Sequence, residues 1–313
     1  MDMVNLVTGK LREWKNAEAK PATVLISGTG GKAFCAGGDI VSLYHAHNGK
    51  EGFDPVQKKE FFEREYIMDY QLTQMHPTQI ALWNGIVMGG GVGVSCHSPI
   101  RVATDNTMYA MPETAIGFFT DVGGSYFLSR VKNNISLGLY LGLTGHRLKA
   151  KDLVQWGVAT HFVPSDKLDT LRADLVANVQ SSSSQAEIEQ IVSKHSDLNA
   201  GSEPIADLEH INHFFKDGKT IHEVIASLES SETDFAKGTL KKLKYMSPLA
   251  LGVVYEQICR GKTMSLAEVF EMEYNISQGF MHHTEFFEGV RALLVDKDRS
   301  PNWKYKKVSE VPQ

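Results

Sequence analysis

The chain is poor in cysteine. Cys35, Cys96 and Cys259 are odd in number and far apart, which excludes a disulfide framework and fits a reducing compartment. No CxxC pair suggests zinc. Long apolar runs are also missing. The longest uncharged glycine-rich stretch, NGIVMGGGVGVSCHSPI from Asn84 to Ile100, is broken by polar residues. It falls short of the roughly 18 apolar residues that suggest a membrane span. There is no run of Lys or Arg, and the formal net charge is −5, which argues against nucleic acid as a partner. The opening residues, MDMVNLVTGKLREWKN, resemble neither a signal peptide nor an Arg-rich transit peptide. Val4, Val7, Leu11 and Trp14 recur there at helical spacing and predict a core-facing helix.

What is present is ordinary globular composition, with 42% apolar and 22% charged residues in 313. That length allows one large domain, or a main domain with an appendage. ATVLISG (Ala22 to Gly28) and TQIALWNG (Thr78 to Gly85) read as short buried strands, and IRVAT and MYAMPE as two more. Helical patterns separate them, so residues 1–180 are expected to form an α/β core. The serine run at Ser181 marks a shift, and residues 181–313 are expected to form a helical region packed on that core. Ser247 and Pro248 look like an N-cap and first-turn pair there.

Several motifs fail on inspection. GTGGKA is no phosphate loop, because Ile26 and Ala33 stand where the Walker pattern needs Gly and Ser/Thr. No acid-terminated second strand supports a dinucleotide fingerprint. GVSCH is no nucleophile elbow, because His97 replaces the last glycine; Ser95 and Cys96 read as core or surface residues. His45/His47 and His210/His213 lack a carboxylate at metal-ligand spacing and are expected to face solvent.

Two glycine clusters and two acids carry more. CAGGD reads as a tight turn. Gly89-Gly90-Gly91 follows a strand and opens an apolar helix; it is either a closely packed helix start or a source of N–H groups for an oxyanion. MPETAIGFFTDVGG, from Met111 to Gly124, sets Glu113 and Asp121 in an apolar stretch, where ionised carboxylates are costly unless paired. Glu113 is expected at a strand end that enters a cleft. Asp121 precedes a helix start, which makes capping its alternative role. Glu65, in FFEREY, reads locally as a helix-face acid.

These segments, with GKAFCAGGD, NGIVMGGGVGVS and LTGHRLKAKDLVQWGVATHFV, resemble the crotonase (enoyl-CoA hydratase/isomerase) superfamily in order and spacing. FFEREY, MPETAIGFFTDVGG and EGVRALLVDKDRSPNW resemble the branch that hydrolyses 3-hydroxyisobutyryl-CoA in valine breakdown. The resemblance implies a ββα spiral core with a C-terminal helical region; the strand pair that normally opens it is expected to be missing. It implies that Gly38 and Gly90 form the oxyanion hole and that Glu113 is the catalytic carboxylate. Asp121 is implied as a second acid, Glu65 as a substrate contact, and Lys32, Ala33, Phe34 and Cys35 as the segment that meets CoA. Hydratases of this superfamily carry a further glutamate twenty residues before the first of these acids; here that position is Gly93. An acid–base pair for hydration is thus incomplete, and what remains suits acyl transfer to water. Glu113 acts either as nucleophile or as base for water. Implied too are an acyl-CoA substrate, no separate cofactor, no metal, a possible homo-oligomer and a mitochondrial matrix location. An enoyl-CoA isomerase or hydratase, or a non-catalytic acyl-CoA-binding member, is the alternative reading.

Overall fold

The computed structural model describes residues 1–18, 20–54, 56–75 and 77–312; for residues 57–59 it describes the backbone alone. The chain divides into two units, each assembled from three segments. The first comprises Met1–Gly37, Ile67–Tyr109 and Arg147–Ile205; the second comprises Gly38–Tyr66, Ala110–His146 and Ala206–Gln313.

The strands build two four-stranded sheets. One has the order Thr23–Ser27, Thr78–Trp83, Ile100–Ala103, His161–Phe162, parallel throughout. The other has the order Ala33–Cys35, Ile86–Met88, Met108–Ala110, Leu148–Lys149, and its last pair is antiparallel. The first six strands alternate between the sheets; Leu148–Lys149 then joins the second sheet beside Met108–Ala110, and His161–Phe162 completes the first. Each turn of the chain therefore lays one strand in each sheet and returns through helical chain, which is the expected ββα spiral. The reason is visible in TQIALW: from Gln79 to Trp83 every residue is buried, as a parallel strand covered on both faces requires. Ile80, Leu82, Ile100 and Val102 form one core with Val163, with Leu168, Leu171 and Leu175 of the helix Leu168–Asn178, and with Ile188, Ile191 and Val192 of the helix Gln185–His195. The latter helix starts at a capping box in which Ser184 and Glu187 satisfy each other's backbone N–H. The opening helix, Asp2–Asn16, buries Val4 and Leu11 as its spacing predicts.

The second unit is mainly helical. Pro248–Gly261 begins at Ser247, whose Oγ accepts from the Ala250 N–H, so the expected cap is present. Leu266–Met281 and Thr284–Val290 follow. Their aromatic residues meet those of the Met111–Gly124 stretch: the Phe118 ring lies 5.0 Å from Phe62, 4.5 Å from Phe119, 5.3 Å from Phe280 and 4.8 Å from Phe286, centroid to centroid. This apolar cluster surrounds the chain between the two acids.

Candidate active site

Glu113 and Asp121 are each 5% exposed. Glu113 does not sit on a strand end as expected. The strand stops at Ala110, and Glu113 opens a 3-10 turn, Glu113–Ile116. The Pro112 carbonyl accepts from the Ala115 N–H and the Glu113 carbonyl from the Phe118 N–H, so the chain folds back on itself. Asp121 does not cap the helix Gly124–Leu128. Gly123 is its N-cap, without a side-chain cap of its own. Asp121 Oδ2 instead accepts a hydrogen bond from the Tyr66 hydroxyl at 2.9 Å.

Glu65 joins them from the helix Val56–Thr73. It is no solvated helix-face acid: it is 7% exposed, and burial, then the nearby Asp121 charge, push its carboxyl up to about 8. Burial also pushes Asp121 up to about 7, against the Tyr66 hydrogen bond, which lowers it. Glu113 is raised well above the usual carboxylate range, by burial first and by Asp121 second. Among the described residues, Glu113 Oε2 has no hydrogen-bond partner. Tyr66 is raised well above the usual phenol range by burial and by the acids around it, so it stays a hydrogen-bond donor. Acids shifted toward neutrality in one buried cluster can exchange protons near neutral pH, which isolated carboxylates cannot.

Two participants escaped the sequence reading. Tyr66 lies within FFEREY, where the local sequence does not show what its hydroxyl meets. Glu273, fully buried on Leu266–Met281, is pushed up to about 8 by burial and accepts from the Gly123 and Ser125 N–H groups. Its signal was present: it sits in a helical stripe with Val269, Phe270, Ser277 and Phe280, where an apolar residue would be expected.

Gly38 lies in the same unit as these acids. A methyl group on it would overlap the ring of Phe61, one helical turn before Glu65. Its carbonyl accepts from Ile40 N, and Asp39 caps the helix Ile40–His47.

Gly90 lies in the other unit, at the first position of the four-residue helix Gly90–Gly93. Its N–H belongs to the first turn, where no intrahelical acceptor exists. Gly91 must lack a side chain, because a Cβ there would collide with the Cys35 carbonyl. A Cβ on Gly37 would fall 3.6 Å from Gly90 N. The loop ending at Gly37 thus lies against the glycine cluster. Ala33–Cys35 pairs with Ile86–Met88; Phe34 is buried, Ala33 and Cys35 are half-buried and Lys32 is exposed. Gly93 is buried and offers no carboxylate.

Ser95 and Cys96 are buried in the core, with Ser95 Oγ donating to the Gly91 carbonyl and accepting from Trp83 Nε1. His47 is exposed and stacks on Phe287 at 3.6 Å, and His213 is exposed; His45 and His210 are half-buried beside Phe53 and Phe235 rather than fully solvated. Among the described residues no cluster of His, Cys, Asp or Glu has the makings of a metal site.

The enoyl-CoA hydratase/isomerase family model matches residues 1–313. The chain belongs to that family. Among curated relatives, proteins named 3-hydroxyisobutyryl-CoA hydrolase, mitochondrial, are 42% identical over 320 residues in Xenopus laevis and 41% identical over 319 in Homo sapiens; each alignment covers 100% of this chain and 80% of the relative. The Dictyostelium discoideum protein of the same name is 43% identical, with 82% of it covered. Among solved structures, a carnitinyl-CoA dehydratase from Mycobacterium thermoresistibile superposes with a TM-score of 0.85 at 31% identity, over 100% of this chain and 86% of that one. An enoyl-CoA hydratase from Rhodobacter sphaeroides gives 0.84 at 32%, over 99% and 87%. The family fold expected from the sequence is therefore the fold observed.

Proposed function

We propose that the protein hydrolyses the thioester of 3-hydroxyisobutyryl-CoA, and of 3-hydroxypropionyl-CoA, to the free hydroxy acid and CoA. The observation that carries this reading is the buried Glu113 carboxylate, one oxygen unpartnered, beside the Tyr66-bonded Asp121, in a chain with glycine at position 93. The names of the full-length relatives agree with it.

In this reading Glu113 is the acting carboxylate. As nucleophile it attacks the carbonyl carbon, the C–S bond breaks and CoA leaves as thiolate; water then cleaves the mixed anhydride, restoring the Glu113 carboxylate and leaving one proton to convert the thiolate to thiol. As base it takes a proton from water while the water oxygen forms the new C–O bond; the C–S bond then breaks as the carbonyl re-forms, and the proton passes from Glu113 to the departing CoA thiolate. Either route is redox-neutral and calls for no cofactor beyond the CoA of the substrate. Gly38 and Gly90 are the glycines that the family likeness assigns to the carbonyl oxygen; one such N–H donor contributes on the order of 3 kcal/mol to the transition state. Asp121 and Glu65 orient the 3-hydroxyl group, and Asp121 shares proton traffic with Glu113. Lys32, Ala33, Phe34 and Cys35 meet the CoA moiety, with the exposed Lys32 ammonium suited to its phosphates. The relatives' names support a mitochondrial setting, and we place the protein in the matrix.

A thiol-release assay over a panel of acyl-CoA substrates tests this. Free CoA from the two 3-hydroxyacyl thioesters is the expected result. Double-bond migration or hydration of an enoyl-CoA without thiol release would replace the hydrolase reading with an isomerase or hydratase one. Binding without turnover would make the protein an acyl-CoA-binding member.

A further inference from the structure

We infer that Glu273 is a positioning residue for Asp121, holding the turn that presents it. The inference rests on the hydrolase reading for its kinetic consequence but on geometry for its substance. Glu273 lies 148 residues from Ser125 in sequence, yet both of its oxygens are occupied by the start of the helix Gly124–Leu128. Oε2 accepts from the Gly123 N–H at 2.7 Å; Oε1 accepts from the Ser125 N–H at 2.9 Å and from the Ser125 hydroxyl at 2.7 Å. Three donors face this one carboxyl group and lower its pKa, against the burial that raises it to about 8.

The turn it grips needs holding. Val122 has φ +57° and Gly123 φ +79°. A β-branched residue in the left-handed region is strained, and such strain persists only where the surroundings fix it. Asp121 immediately precedes this pair. Its own side chain is bonded to Tyr66, and its direction follows from the backbone of the turn. Gln257, from Pro248–Gly261, holds the other side: its amide donates to the Thr120 carbonyl and, at 3.1 Å, to Ser125 Oγ. The residues flanking Asp121 are thus clamped from two C-terminal helices. A local Ser, Thr, Asn or Asp could cap a helix start in solvent. A buried carboxylate delivered from a distant helix is the costlier arrangement, and it fixes position as well as hydrogen bonding.

The test is Glu273→Gln in the whole chain. The substitution keeps size but turns one acceptor into an N–H2 group facing an N–H donor. Two quantities are read: amide hydrogen exchange over residues 119–126, and kcat and KM for 3-hydroxyisobutyryl-CoA. Faster exchange confined to that segment, with kcat lowered on the order of 10- to 100-fold and KM little changed, is the expected result. Unchanged exchange, or a raised KM at unaltered kcat, would overturn the proposal. Should Glu273→Gln fail to fold, Ser125→Ala removes the hydroxyl link to Glu273 together with the Gln257 bond to that hydroxyl, and should show the same pattern with a several-fold loss of kcat; unchanged exchange or unchanged kcat overturns the proposal equally. If the wild-type protein releases no thiol, the hydrolase reading falls, and exchange alone decides whether Glu273 fixes the Asp121 turn.

Discussion

The acid cluster should make the protein lose stability as pH rises through neutrality, and Asp121→Asn should relieve the loss. Asp121 is raised from its ordinary 3.8 to about 7, and Glu65 from 4.5 to about 8, both by burial. A carboxyl group with a raised folded-state pKa favours folding while protonated. Its contribution is complete below the unfolded pKa and is lost as pH climbs through the folded one. Between about pH 5.5 and about pH 8.5 the unfolded chain has already lost these protons while the folded chain is still losing them. At about 1.4 kcal/mol per pKa unit, that window removes about 2 kcal/mol through Asp121 and about 3 kcal/mol through Glu65. Histidines lowered by burial, such as His161, work in the opposite sense, so the wild-type slope alone is a mixture. The difference between wild type and Asp121→Asn isolates Asp121 and its effect on the neighbouring acids. The variant lacks one titrating group and removes the charge that is the second cause of the Glu65 shift. Urea unfolding at a series of pH values gives the two stability curves. The stability of the variant relative to wild type should rise by at least about 2 kcal/mol across the window. A constant or shrinking difference would mean that Asp121 is not a buried, raised acid and would refute the reasoning.

Tyr66→Phe removes the hydrogen bond that lowers Asp121, so the acid limb of the pH–rate profile should move upward by about one unit; an unmoved limb would detach Asp121 from turnover. Gly91→Ala drives a methyl group into the Cys35 carbonyl and should cost about 1–3 kcal/mol or more in urea unfolding. Phe118→Ala empties the centre of the aromatic cluster and should cost about 3–5 kcal/mol, read in the same way.

The alternation of strand and helix was legible because buried parallel strands such as TQIALW are continuous apolar runs, and because glycine clusters mark where backbones must approach; the two-sheet spiral came only from the family likeness. Glu113 and Asp121 were legible as acids in apolar surroundings. What each does locally was not. Pro112 and Gly117 allow a 3-10 turn where a strand end was expected, and only the distant Glu273 removes the need for Asp121 to cap its own helix. Glu65 reads as a surface acid because periodicity within one helix cannot show what packs over it. Glu273 hid for a related reason: one acid in an amphipathic stripe becomes informative only when its partners, Gly123 and Ser125, are seen across the fold.

The central claim is that Glu113 is the carboxylate that drives thioester cleavage. Thiol release from 3-hydroxyisobutyryl-CoA by wild-type protein and by Glu113→Gln, with unfolding midpoints measured alongside, tests it most directly. The account predicts release by the wild type, and a loss of at least about 100-fold in the variant, by analogy with general acid–base catalysis, at an undiminished midpoint, since a buried acid with an unpartnered oxygen is replaced by a neutral amide. A variant that keeps most of the wild-type rate would contradict it.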